Sequence, residues 1–401
     1  MLLRSLSKSL FHRFISKLCL AKLIPYEWDP KGRKLKPAKG FGLFIFRLHS
    51  CFAYIVSPIT IYRVTCAYMS TTKYPITMKV FGVFGSACNL MTALGFVQLE
   101  MRKSEIMGLC NRLLFNLEKE APTSKTESSE TVSNYLKHTR SMSKQMFIGL
   151  LVLAINLPVH LLLTIPTSDN LVALCAPHFL GSMFYQCRDY SVIQLLPFIF
   201  WEFYTISKFL LMNCFYWCFL IVGLGLINFQ LQDLQNGNLK TNAVRLVAYR
   251  GIRLLTQILN DSLWIFLSFF THILLFVLSI LLFGTVRLIR IDPRQSLMFP
   301  MCGLRCGYEV FSPINYAGRV DASSGNLLSE LKDMVTGMGL EKRGGWKEHK
   351  VLDRMRKSCM KIRCTAGNFF MFENFVAISS LHGVVQTTFD LLVTFKDEQV
   401  Q

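Results

Sequence analysis

The chain has 401 residues, of which 52% are hydrophobic and only 17% charged, against about 25% charged in an ordinary soluble domain. That deficit excludes a water-soluble enzyme, and a formal net charge of +19 suggests a membrane surface before nucleic acid as the partner. No nucleophile elbow, phosphate loop, His-Glu-x-x-His or paired-carboxylate pattern is present, so no enzyme chemistry and no cofactor are expected.

The N-terminal residues 1–26 are basic and carry Leu3, Leu6, Leu10, Phe14 and Leu18 at roughly helical spacing. Without an uninterrupted apolar core they are no secretory signal. They read as a helix lying on the cytoplasmic face of a membrane or as a mitochondrial presequence. Apolar runs of about 20 residues, the length a bilayer-crossing helix needs, then recur along the chain. The run 41–66 contains Arg47, His49 and Arg63, whereas 80–99 has no ionisable residue and 146–166 only His160. The run 194–227 holds Glu202 and Lys208; at roughly 50 Å it is too long for a bilayer, so part of it projects into water. The run 263–286 contains only His272, and 369–395 contains Glu373, His382 and Asp390. The weakest run, 296–317, holds Pro300, Pro313, Arg305 and Glu309, and fits either a span or a re-entrant segment. The expected fold is an all-α integral membrane protein with seven transmembrane helices, six being the alternative.

Lys and Arg are retained on the cytoplasmic side of short loops. The segment before the first span holds ten, the second loop eight, the fourth four and the sixth eleven, which places 33 of the 44 on one side, against six on the other. The N-terminus is therefore expected in the cytoplasm and the C-terminus outside. This direction excludes a G-protein-coupled receptor, whose Asp-Arg-Tyr and Asn-Pro-x-x-Tyr signatures are also missing.

Between the spans, residues 122–133 (PTSKTESSETVS) are too polar for a core element and read as a flexible connection. Basic residues 347–363 read as an amphipathic helix that contacts anionic lipid or a partner helix, or joins subunits. The pairs Cys214 and Cys218, and Cys302 and Cys306, are four residues apart but lack further ligands, so they are read as buried small residues and no metal site is expected. Cys175 and Cys187 fall in an outer loop, where a disulfide is compatible with the oxidising exterior. The sequon at Asn260 falls in an inner loop.

Polar groups inside spans are costly and therefore candidates for function. Arg305 and Glu309, one helical turn apart, can neutralise each other or meet a ligand. Glu202 lies beside Trp201, with Phe198, Tyr204 and Tyr190 near in sequence, and an acid among aromatic rings can hold a polar or cationic ligand or pair with Arg305. His160 is either a hydrogen-bonded core residue or a ligand contact. In the last span Thr387, Asp390 or Leu391, and Thr394 share a helical face. A ring of acids there would favour cations if identical spans met around an axis, whereas packing on neighbouring helices explains the stripe equally well.

The last span also carries a resemblance. Thr387-Thr388, then Phe389-Asp390-Leu391-Leu392-Val393, then Thr394-Phe395 resembles the hallmark of insect gustatory receptors, in which Thr-Tyr, five hydrophobic residues and Gln-Phe lie near the C-terminus. The first Thr, the spacing and the final Phe are kept, whereas Thr388, Thr394 and Asp390 depart from the pattern. Ala366-Gly367-Asn368-Phe369-Phe370 resembles the entry into that family's last span. Length and layout extend the resemblance over nearly the whole chain.

The resemblance implies a multi-pass plasma-membrane receptor acting as a ligand-gated cation channel, a homo- or hetero-tetramer opened by a small-molecule tastant, with no nucleic-acid partner. A pocket bordered by His160, Tyr190, Trp201, Glu202 and Arg305 would lie in the outer half of the spans. Thr387, Asp390, Leu391, Thr394 and Phe395 would line the pore, with Asp390 selecting cations and Leu391 and Phe395 closing it. An odorant-type receptor subunit, or a transporter or scaffold without a pore, is the alternative. The chain divides accordingly into a basic segment 1–40, spans and pocket 41–317, an inner anchor 318–367, and a pore-lining span with a short tail 368–401.

Overall fold

The structure, a computed structural model, describes residues 2–69, 76–119, 144–145, 147–152, 154–155, 192–236, 242–288, 297–340, 346–366, 370–373 and 375–395. It is a helical bundle with two short hairpins at one end, termed the base below. Helix α1 (Leu2–Leu20) leads into β1 (Tyr26–Asp29), which pairs antiparallel with β2 (Lys34–Pro37). Alternation in β2 turns Leu35 inward between exposed Lys34 and Lys36. The Leu35 N–H donates to Asn111 Oδ1 at 2.7 Å and its carbonyl accepts from Asn111 Nδ2 at 3.0 Å. The hairpin is thereby clasped to α4 (Lys103–Lys119). This hairpin alters the reading of α1. Phe11, Ile15 and Leu18 are buried with Tyr26, and His12 meets Trp28 edge-on at 5.2 Å. From Phe11 onward, where its side chains are described, the helix turns apolar residues toward protein core rather than a membrane surface.

Helix α2 (Gly40–Met69) starts at Gly40, whose φ of +51° suits a residue without a side chain, and packs along α3 (Ile76–Met101). Helix α5 (Val192–Gln235) is the 44-residue centre of the bundle. It is apolar around its whole circumference, as a helix surrounded by others must be, and Phe215, Tyr216, Trp217 and Phe219 are all buried. Its expected excess length is real, and its final turns pack against α6 (Asn242–Ser262), an amphipathic helix at the base. A π-helical turn (Phe266–Phe270) leads from α6 into α7 (Thr271–Leu288). Gln98 of α3 bridges this irregular junction: its amide nitrogen donates to the Ser262 carbonyl, and its Oε1 accepts the Phe266 N–H at 2.7 Å. The backbone groups released by the junction are thus satisfied inside a region without water.

Helix α8 (Met298–Leu340) is 43 residues long and packs on α5 and α7. The weak run 296–317 therefore does not end at Ala317; Pro313 sits inside a helix that continues into the base. Its neighbours Ser312, Ile314 and Ala317 are buried, so packing holds the helix together where the proline removes one backbone hydrogen bond. The basic stretch 347–363 is helical only over α9 (Trp346–Lys357). Beyond it the chain becomes an extended strap, because its backbone finds partners on α6 and α8. The Met360 carbonyl accepts from the Tyr249 hydroxyl at 2.9 Å, the Arg363 carbonyl accepts from Asn260 Nδ2 at 3.1 Å, and the Ile362 N–H donates to Ser324 Oγ at 3.2 Å. A two-residue pairing of β3 (Thr365–Ala366) with β4 (Phe370–Met371) follows. The last helix, α10 (Val376–Thr394), consequently starts later than the apolar run at 369 suggests.

Five described helical segments are long and apolar enough to cross a membrane: Gly40–Met69, Lys79–Met101, Leu196–Gln235, Phe266–Arg287 and Val376–Thr394. The expected span 146–166 lies largely outside the described residues, although 147–152 and 154–155 are helical.

Candidate functional site

The centre of the bundle contains a polar cluster held by three helices. Arg305 and Glu309 lie one turn apart on α8, and Arg305 Nε donates to Glu309 Oε1 at 2.9 Å while Nη2 donates to Oε2 at 3.3 Å. Asn213 of α5 donates to the same Oε2 at 2.5 Å, and the guanidinium lies 5.3 Å from the ring centre of Phe209. Arg305 is only 2% exposed, so its charge is tolerable only because a carboxylate and an aromatic face surround it. The pairing expected from the four-residue spacing is present, and Glu309 rather than Glu202 is the carboxylate bound to Arg305. Asn213 Oδ1 is buried without a hydrogen-bond partner among the described residues, an unused acceptor beside the ion pair.

One turn along, Trp217 Nε1 donates to Ser312 Oγ at 2.9 Å, and the Tyr308 ring lies 5.5 Å from Trp217. The Tyr308 hydroxyl donates to the Gln145 carbonyl at 3.1 Å. Tyr216 donates to the Gly95 carbonyl at 2.6 Å, an approach that Gly95 permits because a Cβ there would lie 2.9 Å from Met212 Cγ. Such bonds are what join helices in lipid, where apolar contact alone gives no advantage over acyl chains.

Trp201 and Glu202 are displaced from this cluster toward the end of α5 farther from the base. Trp201 is half-buried and meets Phe52 of α2 edge-on at 5.3 Å, whereas Glu202 is buried. The described contacts do not bring Trp201 to Arg305. Between them lies a group that the sequence reading left unassigned. Lys208 is buried, with its amine 4.9 Å from the Tyr204 ring centre and 5.8 Å from that of Phe96, and the Tyr204 hydroxyl is hydrogen-bonded to His49 Nδ1. The available signal was a Lys and a His within two apolar runs. Their proximity depends on how α2 and α5 cross, which periodicity does not encode. His160 and Tyr190, and the cysteines Cys175 and Cys187, lie outside the described residues.

Beside Glu309 a small, partly open and mostly apolar cleft lies between α5, α7 and α8. Leu220, Leu274, Val310 and Pro313 contribute to its walls, as do Cys364 and Phe372 from the segment between α9 and α10. Glu309 is its acidic group. Cys214, Cys218, Cys302 and Cys306 are buried as small residues. Among the described residues no group of His, Cys, Asp and Glu is arranged to hold a metal ion.

Helix α10 lies on the outside of the bundle. Val384 and Thr388 face α7, and Thr388 Oγ1 donates to the Ser279 carbonyl at 3.4 Å. Phe395 packs 5.8 Å from Phe283, and Leu391 is half-buried on the same side. Thr387 is half-buried, whereas Asp390 and Thr394 are exposed. Advancing about 100° per residue, the exposed surface divides in two. One flank carries Ser379, His382, Gln386, Asp390 and Thr394, and the other Ile378, Leu381, Val385, Phe389 and Val393. Asp390 and Thr394 of the expected pore set thus share a polar flank with His382 and Gln386, while Leu391 and Phe395 turn toward α7. The four-residue recurrence of His382, Gln386, Asp390 and Thr394 was readable in the sequence once the buried side of the helix was known.

No family model matches the chain, and no curated protein matches it. Solved structures do, among them two of one receptor. The olfactory receptor OR5 of the insect Machilis hrabei, in complex with eugenol, superimposes with a TM-score of 0.70 over 96% of this chain and 98% of its own, at 10% identity. A second structure of the same receptor gives 0.65 over 96% of this chain and 99% of its own, again at 10% identity. At such identity the likeness is one of fold: this chain has the helical fold of an insect olfactory receptor from end to end.

Proposed function

We propose that this protein is a chemosensory receptor of the gustatory type, a ligand-gated cation channel of the plasma membrane opened by a small-molecule tastant and assembled as a tetramer. The observation that carries this reading is the divided surface of α10. A polar flank with His382, Gln386 and Asp390 is unfavourable against lipid, and no other part of the described chain covers it. Four copies meeting around an axis would give that flank a water-filled pore and leave the apolar flank for lipid or a neighbouring subunit. Asp390 is the group that favours cations. Leu391 and Phe395, directed toward α7, would enter the pore wall only on rotation of α10. A second exposed seam supports assembly: Val244, Val247, Leu254 and Ile258 on α6 recur at intervals of three, seven and four residues, the spacing of a helix that packs against another.

The ligand would reach the outer half of the spans near Trp201, Glu202 and the Arg305–Glu309–Asn213 cluster, with His160 and Tyr190 as further contacts. Eugenol in the complex of the Machilis receptor supports a small organic ligand. The matching fold is an olfactory receptor, so an odorant-type subunit is the second reading; the C-terminal Thr387-to-Phe395 pattern favours the gustatory one.

The test is current through membranes of cells expressing this chain alone, under a panel of tastants and odorants. A tastant-evoked cation current whose selectivity falls in Asp390→Asn supports the proposal. Unchanged permeation in that variant removes the role of Asp390, and a purified monomer that carries no current under any ligand favours a pore-less protein.

A further inference from the structure

The basic run that ends α9 places a hydroxyl where two further cations already converge. Ser358 follows Arg354, Arg356 and Lys357 in the sequence and is exposed at the point where α9 gives way to the strap. Its hydroxyl donates to the Met355 carbonyl at 2.7 Å and accepts a hydrogen bond from Arg250 Nη2. Arg253 Nη1 donates to the Ser358 carbonyl at 3.2 Å. The two arginines are three residues apart on α6 and so lie on one side of it. Among the described residues neither is paired with a carboxylate. Arg250 also reaches the Met355 carbonyl at 3.4 Å and Arg253 the Met360 sulfur at 3.5 Å, while Asp353, the nearest acid in sequence, is held by Arg356 and Lys357, both at 2.8 Å. Two guanidinium groups thus direct their donors at neutral acceptors around one exposed hydroxyl.

We propose that Ser358 is a phosphorylation site for a protein kinase that selects basic substrates, and that Arg250 and Arg253 hold the phosphoryl group against α6. In the transfer the Ser358 oxygen bonds the γ-phosphorus of ATP and the bond from that phosphorus to the oxygen bridging it to the β-phosphate breaks. ADP leaves, and the hydroxyl proton passes to the kinase's catalytic carboxylate. Recognition rests on charge: a kinase with an acidic substrate cleft takes a serine preceded by Arg354, Arg356 and Lys357. Access follows from how lightly α9 is held. Of its described side chains only Leu352 is buried, and a helix of 12 residues is marginal without packing, so its last turn opens readily. The chain beyond Ser358 is already extended.

A phosphoserine carries a charge of about −1.5 to −2 at neutral pH and three acceptor oxygens. It gives up the hydroxyl's bond to Met355 and meets the negative end of α9, about half an elementary charge. Two full positive charges on α6 outweigh that, and charge-assisted hydrogen bonds replace a neutral one. The modified residue then clamps the start of the strap to α6, two residues before the bond from Tyr249 to the Met360 carbonyl. The kinase must meet this end in the cytosol, the side to which the distribution of Lys and Arg assigns it. The proposal rests on that orientation and not on the channel reading.

The full chain, purified into nanodiscs, is incubated with ATP, Mg²⁺ and isolated kinase domains that favour arginine ahead of the acceptor serine, and the phosphorylated residue is located by peptide mass mapping. The wild type is expected to take a phosphoryl group at Ser358, and Ser358→Ala to take none in that peptide. The phosphorylated protein is then treated with a phosphatase. Arg250→Gln and Arg253→Gln leave the residues preceding Ser358 intact, so each variant still accepts phosphate but is expected to lose it about threefold faster, and the double variant about tenfold faster. Arg250→Lys with Arg253→Lys keeps both charges and is expected to retain most of the protection. If the double Gln variant is lost in purification, the single variants carry the measurement. No phosphate at Ser358 in the folded wild type overturns the site, and equal dephosphorylation rates in wild type and Gln variants overturn the role of the arginines. Phosphate accepted by the purified chain but absent from Ser358 in intact cells expressing the same kinase overturns the orientation on which the proposal rests.

Discussion

Helices α5 and α10 both qualify as membrane spans, yet they live in different surroundings. The most apolar stretch of α5 has 94% of its residues buried within the chain, that of α10 only 11%. Helix α5 is apolar around its whole circumference and contributes Asn213, Tyr216 and Trp217 to bonds with α3 and α8. Helix α10 keeps a narrow contact side, Val384 and Thr388, and exposes the remainder in a polar and an apolar flank. Hydropathy makes the two look alike because it does not distinguish lipid, protein and a second copy of the chain as the solvent. Burial does distinguish them, and it identifies α10 as the spanning segment least covered by the described residues.

Substitutions sharpen this comparison. The largest effect is expected at the ion pair beside α5. Arg305→Ala leaves Glu309 buried with only Asn213 as a partner, and should cost about 3–5 kcal/mol, read as loss of the monodisperse species on size exclusion. Arg305→Met with Glu309→Leu removes both charges and should recover most of that loss, since the pair is costly to break rather than strongly stabilising. Next, Phe219→Ala in α5 should cost about 3 kcal/mol in thermal unfolding. Phe389→Ala, on a residue 62% exposed in the single chain, should remain within about 0.5 kcal/mol while altering the assembled species. Equal destabilisation by the two Phe substitutions would erase the distinction between the helices.

A smaller effect is expected from Gln98→Ala, which leaves the Ser262 carbonyl and the Phe266 N–H unsatisfied, at about 1–3 kcal/mol. Gln98→Glu keeps the acceptor and should restore part of it. The smallest effect is at Asp353. Hydrogen bonds from Lys357 and then Arg356 lower its pKa to about 2, so whatever it contributes is present above the ordinary carboxylate range and fades as the pH falls through about 2. Asp353→Asn should leave the unfolding midpoint at neutral pH unchanged, because such exposed pairs contribute little.

The regularities of single helices were readable in the sequence. Apolar runs located the five spanning segments, length anticipated the overhang of α5, and four-residue spacing gave the Arg305–Glu309 pair. What escaped was long-range and carried by single side chains. Asn111 clasps Leu35 across 76 residues, Gln98 bridges a helix junction 164 residues away, and Tyr249 with Ser324 stops the basic stretch after Lys357 from continuing as a helix. None of these follows from periodicity, because each partner is a backbone group that every sequence has. The N-terminal helix was read as membrane-bound for the same reason. Its hydrophobic spacing is real, but the hairpin that covers Phe11 and Ile15 sets Tyr26, Trp28 and Leu35 singly among charged residues, in a stretch too short and polar to stand out as core. Of the residues expected to border a pocket, Glu202 and Arg305 were legible as charges costly within an apolar run, whereas the separation of Trp201 and Glu202 on α5 from Arg305 on α8 required the packing.

The strap between α9 and α10 has a mechanical meaning. At its lower end it is pinned to α6 and α8 by Tyr249, Asn260 and Ser324, and by Lys361, whose amine lies 2.6 Å from Asp321 Oδ2. At its far end α10 is held by the Phe283–Phe395 contact and a 3.5 Å hydrogen bond from Arg287 to the Phe395 carbonyl. The described contacts thus hold α10 to α7 along one narrow side, from Val384 to Phe395. Were the helix to tilt about the pinned strap, Asp390 and Thr394, far from the strap, would be displaced more than His382, and the greatest displacement would fall where the polar flank carries its acid.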